Sequence, residues 1–233
     1  MLIPGGTGGV GEGAVRAYLA AGAQVVVPTR SQERAHQFRD LLGTAANERL
    51  HLFEHDYTSF EGAEKLVATM VERLGGVDDV LAPIGGWWYG KRLWEIDETD
   101  WQGAFVALAT THMAMLRAAL PRLTQQGAYS IVVGESAHSP VPGSGLVSME
   151  QAALAMMHRV VAAELGNAKR VFLLELGPVA TRFTETTDPA QVTSAQIGAV
   201  AVAASASTQP GRHVRLLNRT QAEDALVSIG AAQ

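Results

Sequence analysis

The sequence predicts an α/β fold: a single doubly wound domain, built on a parallel sheet of about seven strands with helices on both faces. Three observations predict it. Short apolar, β-branched runs alternate with longer stretches of helical periodicity along nearly the whole chain. A glycine-rich turn, Pro4-Gly5-Gly6-Thr7-Gly8-Gly9-Val10-Gly11, follows the first apolar residues and opens directly into a helical pattern. Strand, turn, helix and a second strand at Val25-Val26-Val27 are complete by residue 27, the βαβ context of a Rossmann-type dinucleotide site. No internal repeat, low-complexity tract or linker interrupts the alternation, so residues 1–233 read as one domain with one substantial core.

The elements follow in order. Only Met1-Leu2-Ile3 precede Pro4, whereas a strand usually has about five or six residues. The first strand is either unusually short or continues into residues N-terminal to those given. Val10, Ala14, Val15, Tyr18 and Leu19 recur at helical spacing until Gly22 ends the helix. Val25-Val26-Val27 suits a strand buried on both faces. Ser31 caps a second helix to about residue 42, residues 50–54 form a strand, and 59–74 a third helix. Residues 80–82 form the next strand, before the loop 83–90. A long helix over 100–120 leads to a strand at 130–133, and a helix over 148–165 leads to a strand at 171–176. Residues 193–206 form the last helix and 213–217 the last strand, while the tail 218–233 has no assigned element.

Composition narrows the function classes. With 47% hydrophobic and 18% charged residues the chain is ordinarily globular, and a net charge of −5 with scattered Lys and Arg offers no field for nucleic acid. No apolar run reaches membrane-spanning length and no secretory leader precedes the glycine turn, so no membrane partner is expected. Zero cysteines exclude disulfides, thiol nucleophiles and thiolate metal sites, which suits a cytoplasmic protein. No metal-ligand cluster is legible, so no metal site is expected.

The glycine turn reads as a phosphate cradle. Glycine permits positive φ and close approach of a ligand to the backbone, and the free N–H groups opening a helix favour an anion. Two registers fit: Gly6, Gly8 and Gly11 as G-x-G-x-x-G, or Gly5, Gly9 and Gly11 as G-x-x-x-G-x-G.

Further residues in matching order include Asp56, Asp79-Val80-Leu81 leading to Gly86, and Asp100-Trp101. Ala118-Ala119-Leu120-Pro121, Ile131-Val132, Ala152-Ala153-Leu154 and Gly177-Pro178-Val179-Ala180-Thr181 continue the series. From Leu2 to about Leu217 the chain resembles the short-chain dehydrogenases/reductases. The resemblance selects the register with Gly5, Gly9 and Gly11, with Pro4 at the family's threonine position. It implies that Gly5, Gly6, Thr7, Gly9, Val10 and Gly11 hold a dinucleotide diphosphate. Asp56 would accept from the adenine amino group with Tyr57 alongside, Gly85 and Gly86 would border the cofactor, and Gly177, Pro178, Val179 and Thr181 would meet the nicotinamide end. An acidic residue ending the second strand would mark NAD. Thr29, Arg30 and Ser31 stand there instead, and a guanidinium beside two hydroxyls suits a 2′-phosphate. NADP is therefore favoured over NAD.

The resemblance also implies hydride transfer on a carbonyl or alcohol, with a Tyr general acid/base, a Lys four residues later, a Ser and an Asn. Counting from Ala152-Ala153-Leu154 and Trp101, the Tyr, Lys and Asn positions hold Val147, Gln151 and Leu108. Valine cannot donate a proton. None of Tyr18, Tyr57, Tyr89 and Tyr129 has a Lys four residues on, so no shift of alignment restores the set. Ser136 survives as a hydrogen-bond donor. His138 is a candidate acid near neutral pH, and Trp87, Trp88 and Tyr89 are candidates to wall a substrate pocket. His112, and Tyr89 with Lys91 and Arg92, are further candidates beside core and surface readings.

The helices over 101–120 and 148–165 are apolar on more than one face, which predicts a homo-oligomer, dimer or tetramer, unless the tail 218–233 covers them. The segment 182–192, short and polar, predicts an open site or a small lid. Two functions follow: an oxidoreductase of atypical site chemistry, or a catalytically inactive dinucleotide-binding sensor, scaffold or oligomerisation partner. A different reaction on a nucleotide-bound substrate is a third.

Overall fold

A computed structural model of the chain describes residues 1–184 and 188–230. Strands β1 (Val25–Thr29), β2 (Leu50–Glu54), β3 (Val80–Ala82), β4 (Ala128–Gly134), β5 (Arg170–Leu176) and β8 (His213–Leu216) make one parallel sheet. Two short strands, β6 (Val179–Ala180) and β7 (Val192–Thr193), pair with each other at the base of the loop between them.

The apparently truncated first strand has a full role. Leu2 bridges Val26 on one side and Val80 on the other. Backbone bonds from Leu2 N to Asp79 O and Ile3 N to Val26 O, each 2.9 Å, complete the ladder. The sheet therefore runs β2, β1, the Met1–Ile3 segment, β3, β4, β5, β8, so the seventh strand is a three-residue one. Alternation does the rest: Met1 and Ile3 join the core on one face and Leu2 the core on the other.

Helices α1 (Gly9–Ala20), α2 (Gln32–Leu42), α7 (Ser194–Ala206) and α8 (Arg219–Gly230) bury side chains in the first core. Helices α3 (Phe60–Leu74), α5 (Ala107–Ala119) and α6 (Gly145–Leu165) cover the second. Side-chain caps start several of them at the expected residues: Ser31 accepts from Arg34 N, Ser59 from Gly62 N and Thr193 from Gln196 N. Helices α1 and α7 approach at backbone distance. A Cβ on Gly13 would lie 2.1 Å from Ser194 O, and one on Gly198 2.5 Å from Gly13 O, so both positions require glycine. Tyr18 donates across the same contact to Ala201 O.

Three expectations need correction. The 100–120 helix begins at Glu98, capped by Asp97, as α4 (Glu98–Trp101), and passes through a π turn over Gln102–Val106 before α5. The 148–165 helix begins a turn earlier, at Gly145. The tail is helical as α8, and it packs on α7 and β8 rather than over α5 and α6.

The helical stretch Glu98–Arg122 is also long and apolar enough to cross a membrane by length and composition, contrary to the reading that no such run exists. Its packing on α3 and α6 gives its apolar residues a protein partner instead.

Candidate functional site

The order of the sheet places a crevice where the chain reverses direction, between β1 and β3 with the Met1–Ile3 segment between them. Ligands of doubly wound folds bind at such a point, beyond the carboxyl ends of the strands. Two clefts, of about 520 and 310 Å³, meet there and share Gly8, Pro83, Ile84 and Gly85.

The glycine turn forms their common edge. Gly5 has φ +82°, a conformation that L side chains rarely adopt, and Gly8 N donates back to Gly5 O at 2.9 Å. A Cβ on Gly11 would lie 2.4 Å from Gly5 O, and one on Gly9 2.8 Å from the Thr181 side chain. Gly5, Gly9 and Gly11 each meet a steric demand only glycine satisfies, in agreement with the second register. Gly6 is as tightly placed, a Cβ there lying 2.8 Å from Val27 Cγ1 and 2.9 Å from Ile3 O, whereas one on Gly8 would lie 3.2 Å from Gly5 O. Helix α1 starts at Gly9, so its free N–H groups face the crevice, as an anion site requires.

The larger cleft is lined by Gly5, Thr7, Thr29, Arg30, Tyr57 and Gly85 among the expected residues. It also receives Arg34, in the first turn of α2, which sequence reading missed. Thr29 is buried, and its hydroxyl is used internally, donating to Ser31 O at 3.2 Å; the Ser31 hydroxyl caps α2. The two guanidiniums, rather than one with two hydroxyls, are therefore the groups free to meet an anion. Asp56 turns its carboxylate to Thr58, whose hydroxyl and N–H donate at 2.7 and 2.9 Å, and these bonds hold its pKa below the usual carboxylate value. Burial raises that of Tyr57. Leu108 lines this larger cleft too.

The smaller cleft is lined by Gly9, Val10, Gly11, Gly85, Gly177 and Val179, together with Val132, Gly134 and Gln151. Gln151 stands where the resemblance expects Lys, and it is a tie between elements. Its Oε1 accepts from Gly134 N at 2.6 Å and its Nε2 donates to Glu150 Oε2 at 2.5 Å. Glu150 is fully buried, its Oε1 has no hydrogen-bond partner, and desolvation raises its pKa to about 7. Val147 is buried and lines neither cleft. No tyrosine lines the smaller cleft.

The other candidates lie outside both clefts. Ser136 sits in the short turn Glu135–Ala137 after β4, with its Oγ 3.4 Å from where a Cβ of Gly134 would be. His138 projects from the same loop toward Glu175. Trp87 and Tyr89 are exposed, and Tyr89 packs on Gly143, while Trp88 O accepts from Ser144 Oγ at 2.6 Å. Lys91 pairs with Asp97 and Asp100, and Arg92 stacks on Trp94, so those charges are surface partners. His112 is a core residue, bonded through Nε2 to Ile84 O, with burial lowering its pKa to about 4. Gly86, Pro178 and Thr181 line neither cleft; Thr181 N donates to Thr184 Oγ1. The segment 182–192, expected as an open edge or small lid, includes residues 185–187, which lie outside the described residues. Before them, Arg182 pairs with Glu12 and donates to Thr7 O, strapping the glycine turn.

Known proteins resemble the chain throughout this framework. A family model described as enoyl-(acyl carrier protein) reductase matches residues 5–210. A hydroxysteroid 11-beta-dehydrogenase 1-like protein of Xenopus tropicalis is 30% identical over 146 residues, 61% of this chain and 50% of that relative. Dehydrogenase/reductase SDR family member 4 of Bos taurus is 28% identical over 197 residues, 82% of this chain and 70% of its own length. The chain thus spans half the length of the first relative. The X-ray structure of an alcohol dehydrogenase from the archaeon Thermococcus sibiricus, complexed with 5-hydroxy-NADP, superposes with a TM-score of 0.81 at 21% identity, covering 92% of this chain and 94% of that one. With its glycine turn, sheet order and family match over residues 5–210, the chain belongs to the short-chain dehydrogenase/reductase family.

Proposed function

We propose that the protein binds NADP(H) along the two joined clefts and acts as an oxidoreductase of atypical site chemistry on a small carbonyl or alcohol. The observation that carries this reading is the pair Arg30 and Arg34 on the larger cleft, at the far side of a glycine turn that only glycine can form. The diphosphate would lie at the start of α1, the 2′-phosphate against the two guanidiniums, and the nicotinamide against Val179 and Gln151. The bound dinucleotide supplies or accepts the hydride. The chain supplies orientation: Gln151 fixes the end of β4 through Gly134 N, and Val10, Val132 and Leu176 give the smaller cleft apolar walls. The 5-hydroxy-NADP bound by the Thermococcus structural neighbour is in keeping with this assignment.

Arg30→Ala and Arg34→Ala are each expected to weaken NADPH binding by about ten- to a hundredfold, since a charge-assisted hydrogen bond contributes on the order of 1.5–3 kcal/mol. NADH affinity should barely change. Fluorescence titration with both dinucleotides reads this directly; tighter NADH binding by the unaltered protein would overturn the preference.

A second reading is a dinucleotide-binding sensor, scaffold or oligomerisation partner without turnover. The observation favouring it is Val147, buried at the position of the general acid. NADPH oxidation over a panel of carbonyls, run beside the titration, separates the two: binding with no turnover selects the sensor.

Assembly as a homo-oligomer, dimer or tetramer, belongs to the same proposal. Helices α5 and α6 leave Met113, Met149, Met156 and Val160 exposed, and α8 does not cover them. Light scattering at micromolar concentration should give a multiple of 24.7 kDa, and a monomeric mass would sink this part of the proposal. A cytoplasmic location, in keeping with a cysteine-free sequence, is read by cell fractionation.

A further inference from the structure

We propose that His138, Glu175 and His213 form a binding site for one divalent transition-metal ion of the zinc class, joining the loop after β4 to the edge strand β8. The three residues come from separate segments, and their ligand atoms lie within 4.8 Å of one another. Glu175 is the anchor. It sits on β5 opposite Val133 and Arg215, its side chain is 1% exposed, and among the described residues neither carboxylate oxygen has a hydrogen-bond partner. A buried carboxylate in that condition is stabilised by a cation brought close to it.

Two imidazoles are positioned to share one. His213 Nε2 is 2.7 Å from Glu175 Oε2, close but not aligned for a hydrogen bond, and His138 Nε2 is 3.9 Å from the same oxygen. Donors about 2.1 Å from a tetrahedral zinc ion are separated by about 3.4 Å. The two observed separations fall on either side of that value, so small side-chain rotations suffice. Imidazole nitrogens with one carboxylate oxygen suit zinc, copper, nickel or ferrous ions rather than magnesium or calcium. Both histidines reach solvent, so the ion can enter and water can complete its coordination.

Two neighbours bear on the site. Arg215 Nε lies 3.5 Å from Glu175 Oε2 and is the competing cation, but its side chain is 58% exposed and free to swing outward. His158, on α6, is near His213 and already bonds Val171 O through Nε2, so it is a neighbour rather than a ligand. This site was invisible in the sequence, where no metal-ligand spacing exists, because a strand pairing and a loop create it. The loop it would hold leaves β4 at Gly134, on the smaller cleft, and ends at α6, which carries Gln151 back to that cleft.

The test uses the full chain, free of any affinity tag and treated with chelator, titrated with Zn²⁺ by calorimetry and with Co²⁺ by visible absorption. One ion per chain, bound at micromolar Kd or tighter, is expected. His138→Ala and His213→Ala should each weaken binding by at least about tenfold, and His36→Ala, a surface control, should leave it unchanged. Both ligand variants alter exposed side chains and keep the fold, which circular dichroism verifies; Glu175→Gln, where it folds, should abolish binding. No saturable uptake, or undiminished uptake by the His138→Ala/His213→Ala double variant, would overturn the proposal and leave Glu175 as an ion-pair partner of His213 and Arg215 only. NADPH titration of the same chelated protein keeps this result separate from the assignment of the clefts.

Discussion

The double variant Val147→Tyr/Gln151→Lys is expected to raise NADPH-dependent carbonyl reduction by about 10²-fold or more, because a positioned general acid contributes on the order of 10²–10⁴ in rate. The scaffold for such a gain is present in part: Gln151 lines the smaller cleft, and the tyrosine of Val147→Tyr has to reach it from a position that valine leaves outside. Both residues lie on the buried face of α6, one turn apart. A phenol alone would titrate too high to exchange protons efficiently near neutral pH, and an ammonium alone has nothing to tune. Together the cation favours the phenolate and lowers its pKa, so the two substitutions should act far more than additively. Comparing kcat/KM for the unaltered protein, each single variant and the double variant across one carbonyl panel measures this. A double variant that binds NADPH as before but shows no gain would mean that the smaller cleft does not present a carbonyl beside the helix, and would favour the sensor reading. The Gln151→Lys change has a further consequence, since the amide tie to Gly134 N is exchanged for a cation next to Glu150.

The features legible in the sequence were those set by local physics. The sheet and most helix starts follow from periodicity and from cap residues such as Ser31, Ser59 and Thr193, whereas the glycine register rests on the family resemblance. For the very short first strand the sequence leaves two alternatives open. Its sufficiency becomes visible only in the sheet, where both neighbours donate to and accept from Met1–Ile3. Arg34 was missed because Arg30 precedes the extended N-cap Ser31 and has no helical spacing to it; the turn into α2 is what brings both to the larger cleft. Glu150 was also readable in principle: an acid at the spacing of Val147, Leu154 and His158 must lie on the buried stripe. Trp87, Trp88 and Tyr89 are candidates for a pocket wall or for loop packing, a choice that composition does not encode, and they line neither cleft. Glu175 and His213 could not be paired without the register of β5 and β8.

Glu150→Gln is expected to stabilise the protein, and to do so in a pH-dependent way that identifies the cause. The folded-state pKa of Glu150 is raised to about 7 from an ordinary value of 4.5, chiefly by desolvation. Between those two values the folded chain binds a proton that the unfolded chain has released, so stability falls as pH rises through this window and levels off above about pH 7. At pH 8 the buried carboxylate then costs about 3 kcal/mol relative to a neutral group, whereas near pH 4 the cost has vanished. Glutamine keeps an acceptor for Gln151 Nε2 and carries no charge, so the variant should melt about 6–12 °C higher than the unaltered protein at pH 8 and within about 2 °C of it at pH 4.5, provided both remain folded there. Thermal or urea unfolding at the two pH values reads the difference directly. Equal stabilisation at both would assign the effect to packing, and no stabilisation at pH 8 would show that Glu150 has a partner cation in solution. A cost of that size sits one residue from Gln151 and bonds it directly, and Gln151 in turn holds the end of β4 at the smaller cleft. Ionisation of Glu150 strengthens the acceptor that fixes the Gln151 amide, so the pH range that destabilises the fold is also the one in which this bond is strongest.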